Sequence, residues 1–244
     1  MNFYIYDGSF PGLLTAIYYG FYNTEKPDHI LIEENYKQGL FSRKILIETD
    51  LDKSDRVYQA VKDKISLNVL RKIYNVYLSE GENTGQLIYQ YLKIGFRIGR
   101  TIEQYLKNDI VDQIEKLSSK VGREKHLLLG ILRFREIEGE IFYAPFEPDN
   151  NIVSLLAPHF ARRLSDQHWI IHDKKRKMAV VYNKEEWVLT ELENISNIQF
   201  SEREKYYQEL WKGFYKNIMI ENRRNPRCQR QFMPKRYWKY LIEK

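Results

Sequence analysis

The 244-residue sequence holds a single cysteine, Cys228. A lone thiol excludes an intramolecular disulfide, a cysteine-rich zinc site and an iron–sulfur cluster held by this chain alone. It also fits a reducing, cytoplasmic setting. Long apolar runs are missing too. The longest, around Leu127 to Leu132, falls far short of the ~20 residues a spanning helix needs, so no membrane association is expected. Residues 1–10 lack the basic start, apolar stretch and cleavage site of a signal peptide. No Gly-x-Ser-x-Gly elbow, Walker loop or Gly-x-Gly-x-x-Gly turn occurs, so the common marks of serine hydrolases, P-loop proteins and dinucleotide binders are absent. His159, His168 and His172 lie close together but without HExxH spacing. In a strand, His172 faces away from its neighbour Asp173, which argues against a His–Asp pair. Cys228 has arginines around it and no neighbouring histidine, and it reads as an incidental thiol. Neither a metal nor a cofactor is expected of this chain.

What is present is charge, unevenly placed. Lys and Arg number 39 against 33 Asp and Glu, a net +6. The last 24 residues hold eight cations against Glu221 and Glu243, so the first 220 are neutral. At 43% hydrophobic, the chain has enough apolar material for a sizeable core in one large domain or two lobes.

The hydrophobic periodicity predicts an α+β fold in two parts. Residues 1–122 read as a mainly helical lobe with a short β element. Strands are expected at Phe3–Tyr6, His29–Glu33 and Lys44–Glu48, with helices at about Ser54–Leu78 (two, meeting near Ser66), Thr84–Leu106 and Ile110–Val121. Ser9 is a candidate N-cap with Pro11 in the first turn, and Gly122 a candidate helix stop. Gly95 and Gly99, four apart, are read as places where another backbone approaches. Residues 123–244 read as an α+β lobe with a basic tail. A strand pair is expected at His126–Arg135 and Ile141–Phe146, then a helix over Ile152–Leu164 that Pro158 kinks or splits. Trp169–Asp173, Met178–Tyr182 and Trp187–Leu189 should form an antiparallel meander. Ser201-Glu-Arg-Glu204 is a capping box opening an amphipathic helix whose apolar face carries Tyr207, Leu210, Trp211, Phe214 and Ile218.

Two basic clusters carry chemistry. In the tail, Arg223, Arg224, Arg227, Arg230, Lys235 and Arg236 suit phosphate. Asn225, Gln229 and Gln231 add neutral donors, and Tyr237 and Trp238 offer planes for bases. The second cluster is the hairpin turn Lys174, Lys175, Arg176 and Lys177, with Arg162 and Arg163 upstream. A terminal segment whose apolar side chains dock while its charges stay wet is the plainer alternative. The turn Asp7-Gly8-Ser9, at a strand end facing a helix N-terminus, is either an anion site or a simple cap.

Four stretches occur together: Tyr6-Asp-Gly-Ser-Phe-Pro-Gly-Leu-Leu-Thr15, Val121-Gly-Arg-Glu-Lys-His126 through Leu132-Arg-Phe-Arg-Glu136, Ala157-Pro-His-Phe-Ala-Arg-Arg163, and Asn225-Pro-Arg-Cys-Gln-Arg-Gln-Phe-Met-Pro234. With these, essentially the whole chain resembles a bacterial family described as DNA metabolism or DNA repair proteins. The family is typically encoded beside a DNA-modification or repair protein of the radical S-adenosylmethionine type, and a related domain is fused to some uracil-DNA glycosylases. The resemblance implies DNA and such a radical enzyme as partners, and it brings no catalytic residues.

The expected function is therefore a cytoplasmic DNA-binding accessory protein in repair or modification. About six neutralised phosphates would give a log K against log salt slope of roughly −5. The rival is a hydrolase acting on nucleic acid, flipping a base against Trp169, Tyr237 or Trp238 and using Asp173 or Asp166. A third reading is a protein-interaction subunit with no DNA affinity.

Overall fold

The computed structural model describes every residue except 194, 196, 197, 219, 221, 222, 224 and 244. The fold is α+β and divides into two compact units, Met1–Gly122 and Arg123–Lys244. Among the described residues no helix is long and apolar enough to cross a membrane.

The first unit is built on a parallel sheet of three strands, β1 (Asn2–Tyr6), β2 (His29–Ile32) and β3 (Arg43–Leu46), in the order β2-β1-β3. Tyr4, Ile5 and Tyr6 are buried in succession, as expected of a central strand covered on both faces. Helices α1 (Phe10–Tyr22), α2 (Leu51–Lys64), α3 (Leu67–Leu78) and α4 (Thr84–Ile98) follow. Their core joins Leu13 and Ile17 of α1 to Val61, Ile73, Ile88 and Leu92. Ser66 caps α3, accepting from the Val69 amide at 3.1 Å, so the expected break within residues 54–78 falls where the serine is.

At the start of α1 the cap reading prevails. Ser9 Oγ accepts from the Gly12 amide at 2.9 Å. The Asp7 carboxylate takes the Ser9 amide (2.9 Å), the Ser9 hydroxyl (2.7 Å) and the Thr49 hydroxyl (2.8 Å). A Cβ at Gly12 would lie 2.1 Å from Asp7 Oδ1. The protein's own carboxylate thus occupies the position an external anion would take. Burial opposes its ionisation, but the Ser9 and Thr49 hydrogen bonds prevail and hold its pKa below the ordinary value.

Three details differ from expectation. Helix α4 ends at Ile98, because Gly99 turns the backbone to φ +64°, and a 3-10 segment Gly99–Gln104 replaces its last turn. Gly95 packs on the Ile65 side chain, whereas the close backbone approach is at Gly85, where a Cβ would meet Ile30 O at 2.4 Å. Helix α5 (Asp109–Ile131) runs straight through Gly122. Val121, Glu124, Leu128 and Ile131 are all buried, a helical spacing that carries the stripe on, so residues 126–131 are helix and not strand.

The second unit holds a five-stranded sheet in the order β4-β5-β6-β7-β8, made of β4 (Arg135–Ile137), β5 (Ile141–Phe146), β6 (His168–Asp173), β7 (Met178–Tyr182) and β8 (Trp187–Glu191). The meander holds for β6-β7-β8, but β5 and β6 run parallel. The reason is α6 (Val153–Arg163), which crosses from one to the other. Pro158 lies inside α6 without splitting it. Helices α7 (Glu202–Ile218) and α8 (Pro226–Phe232) and a 3-10 turn at Lys235–Tyr240 complete the chain. The core gathers Tyr143, Phe146, Leu156, Phe160, Trp169 and Tyr237.

Two glycine substitutions test this packing. Gly85→Ala should destabilise by about 1–3 kcal/mol, because backbone cannot yield as a side chain can. Gly122→Ala, in mid-helix with nothing within 4 Å of the added methyl, should stabilise by about 0.5–1 kcal/mol. Thermal denaturation should show the midpoint falling by several degrees for the first and rising for the second.

Candidate nucleic-acid interface

Glu124 projects from α5 into the interior of the second unit and is only 6% exposed. Its carboxylate accepts from the Tyr237 hydroxyl (2.5 Å), the amides of Asp149 (2.7 Å) and Asn150 (3.0 Å), and Asn150 Nδ2 (2.5 Å). Burial by itself would raise its pKa, but the bonds from Tyr237, Asp149 and Asn150 outweigh it and hold the group below the ordinary value. The Tyr237 hydroxyl is pushed up, by burial and then by the carboxylate it serves, so it remains a donor.

The loop 147–150, between β5 and α6, is the junction of the unit. Glu147 receives the Tyr240 hydroxyl at 2.5 Å and Lys239 at 2.6 Å. Arg236 reaches Asp149 at 3.0 Å and Glu124 at 3.6 Å. From the other side, Arg176 pairs with the buried Asp173 at 2.9 Å and donates to the carbonyls of Pro148 (3.3 Å) and Asp149 (2.9 Å). Burial raises the Asp173 pKa despite Arg176, so this pair is partly a desolvation cost. The tail turn 235–240 and the hairpin turn 174–177 are thereby fixed to the same loop.

The expected binding residues divide accordingly. Arg223, Arg227, Arg230, Gln231, Lys235 and Lys175 are exposed, Lys174 is half-buried, and Arg224 lies outside the described residues. Asn225 is spent as the cap of α8, accepting from the Cys228 amide at 3.0 Å. Gln229 donates to the Tyr215 hydroxyl at 3.1 Å. Arg236 and Arg176 are committed to the loop, and Lys177 pairs with Glu193 at 2.9 Å. Tyr237, expected as a stacking plane, is 2% exposed and has no ring face to offer. Trp238 is half-buried, donates to Met233 O at 2.7 Å and lies under Lys235.

Arg162 and Arg163 are exposed at the C-terminal end of α6. The short link to β6 puts them near its first residue, His168, while Lys174 follows its last. Six residues at ~3.3 Å each put about 17 Å or more between the two groups. The arginine pair therefore stands apart from the hairpin turn.

The groups the hydrolase reading needs do not converge in the open. Trp169 is buried and stacked on Tyr182, Asp173 is locked by Arg176, and Asp166 is exposed. His172 is buried between the Tyr143 hydroxyl (2.6 Å) and Leu192 O (3.1 Å), and burial lowers its pKa. Those partners make Nε2 the donor and Nδ1 the acceptor of a neutral ring. Among the described residues no three His, Cys, Asp or Glu side chains are grouped to hold a metal ion.

Ser201 caps the amphipathic helix α7 as expected, accepting from the Glu204 amide at 3.0 Å. Glu204, the helix's one buried residue, does not return the bond, because its carboxylate accepts from the Glu136 amide at 3.0 Å. Further along, Gln208 and Tyr215 are half-buried, and Trp211 Nε1 donates to Glu243 at 3.2 Å. The apolar stripe is left open: Tyr207, Leu210, Phe214 and Ile218 are each half-exposed or more. Full burial of such a side chain is worth about 1.5–3 kcal/mol, of which these half-exposed positions forgo about half. Where α7 meets Phe134 and Ile242 a pocket of about 430 Å³ opens, lined also by Tyr207, Leu210, Trp211 and Phe214.

Residue-level reading of the sequence missed Glu124, Glu147 and Asp149 as organisers. The available signal was Glu124 itself, a carboxylate three residues after Val121 and four before Leu128 on the stripe facing the core.

A family model described as a domain of unknown function, DUF4130, matches residues 82–243, a span that includes the Glu124 network. No curated protein matches the chain.

Replacing Glu124 by Gln should cost about 2–3 kcal/mol, since amide hydrogens would then face donors. A carboxylate with a lowered folded-state pKa contributes stability above its unfolded value, near 4.5, and loses it as pH falls through the folded value. Chemical denaturation of both proteins should therefore show a gap at pH 7 that persists to about pH 4.5 and closes on further acidification.

Proposed function

We propose, for a chain that belongs to the DUF4130 family, that the second unit is a DNA-binding accessory module. It serves DNA repair or modification alongside a radical S-adenosylmethionine enzyme. The single observation that carries this reading is the loop 147–150. Two basic segments some sixty residues apart in sequence are fastened to it, the hairpin turn through Arg176 to the carbonyls of Pro148 and Asp149 and the tail turn through Arg236, Lys239 and Tyr240 to Asp149 and Glu147. Holding cations in place lowers the ordering cost of gripping a phosphate backbone.

The division of labour among the cations sharpens the reading. Arg176 and Arg236 build the platform, and Lys175, Arg223, Arg227, Arg230 and Lys235 are the exposed contacts. Any cluster-based radical chemistry belongs to the partner, because a cluster of that kind is held by cysteine thiolates and this chain has one cysteine.

A titration of duplex DNA against salt tests this. About five phosphates should give a log K against log salt slope of about −4.5, and the triple change Lys175→Ala, Arg227→Ala, Arg230→Ala should make it shallower by about 2.7. Arg176→Ala should act differently, destabilising by about 3–5 kcal/mol because Asp173 is left buried and unpaired. Binding that ignores salt, or no binding at all, would sink the proposal.

A further inference from the structure

We infer that the open face of α7 is a stacking platform for unpaired bases, so that the nucleic acid gripped by this unit is single-stranded where it crosses that helix. The inference deepens the DNA-binding reading and rests on it. Its basis is separate from the turns at 174–177 and 235–240: it is the chemistry of a helix face left largely uncovered among the described residues.

Rings dominate that face. Tyr207, Trp211 and Phe214 are exposed along it, Tyr206 is exposed on the adjoining side of α7, and Phe232 is exposed at the end of α8. The Trp211 and Phe214 rings lie 27° from parallel with centroids 5.7 Å apart, an offset stack that a further flat ring can extend. Guanidinium groups already lie against this aromatic surface, with Arg203 over Tyr207 at 5.8 Å and Arg133, itself paired with Glu243 at 2.6 Å, over Trp211 at 6.0 Å. Cations beside stacked rings are the combination that single-strand grooves use, because every base has a π-face and every nucleotide a phosphate.

Charge complementarity selects a polyanion as the occupant. The α7 carboxylates are engaged within the chain: Glu202 with Lys205 at 2.5 Å, Glu209 with Lys212 at 2.7 Å, and Glu204 buried against β4. Lys216 is exposed on the same helix. The Gln229–Tyr215 hydrogen bond holds α8 beside α7, which brings Arg227 and Arg230 to its flank. A second copy of this chain would meet like charge there. An acidic amphipathic helix would answer the charge but has no specific use for rings, and it is the competing outcome of the test.

The experiment uses the full chain with a fluorescein-labelled oligodeoxythymidine of about 20 nucleotides and a blunt duplex of similar length. Phe214→Leu keeps apolar area and removes the ring, Phe214→Ala removes both, and Trp211→Phe keeps a ring. Oligodeoxythymidine binding should weaken about five- to hundredfold in both Phe214 variants and stay within about threefold in Trp211→Phe. Duplex binding should be unchanged by all three, and near-ultraviolet circular dichroism should report an intact fold. Full binding by Phe214→Leu would overturn the inference and mark the face as an apolar protein-docking surface. Duplex binding without oligodeoxythymidine binding would overturn it and leave the DNA-binding reading standing. Binding to neither would remove both.

Discussion

Glu124 brings a carboxylate from the middle of a helix into the interior of the second unit, and segments far apart in sequence meet there because a buried carboxylate must be satisfied. Leaving it unmet would cost several kcal/mol. Its donors come from the loop 149–150 and from Tyr237 near the C-terminus. Through Asp149 the same loop holds Arg236 and Arg176. One desolvated charge thus helps to set where the tail turn sits, and with it the position of the exposed Lys235.

This arrangement changes the meaning of the basic C-terminus. Counted along the chain, its cations are equivalent. Placed on the fold, they separate into those that neutralise Glu124, Asp149, Glu147 and Asp173 and those that face solvent. Charges of the first kind are half of an internal bond, and where the partner is the buried Asp173 or Glu124 their removal takes a partner from a buried carboxylate. Only charges of the second kind are available to release counterions from a polyanion. The split follows from geometry rather than residue type, since Arg176 and Lys175 are neighbours with opposite roles.

Helix α7 shows the converse. It is fastened by Glu204, Tyr215 and the indole of Trp211, which all make hydrogen bonds to other elements. Its apolar stripe, to which Trp211 belongs, therefore stands to one side of that seam, half-exposed and lining the open pocket with Phe134 and Ile242. The amphipathic pattern was correct as periodicity, but periodicity states only that two faces differ. Which face is covered depends on where hydrogen-bonding partners such as the Glu136 amide and Glu243 happen to lie.

The amino-acid sequence by itself determined the α+β class, nearly all the helices and strands, the cap at Ser9, the helix break near Ser66, the meander of β6 to β8 and the concentration of charge at the C-terminus. These are local properties, written in periods of two and 3.6 and in turn residues that act on their immediate neighbours. The passage of α5 through Gly122 was legible only in part, because a glycine stop signal competes with a buried stripe and only burial decides between them. Tertiary structure alone decided that β5 and β6 run parallel, that Tyr237 is an anchor instead of a platform, that Arg162 and Arg163 stand apart from the hairpin, and that the aromatic face of α7 is open. Each of these depends on contacts between residues distant in the chain, where desolvation of one group dictates the place of another, and no local pattern records which groups will meet.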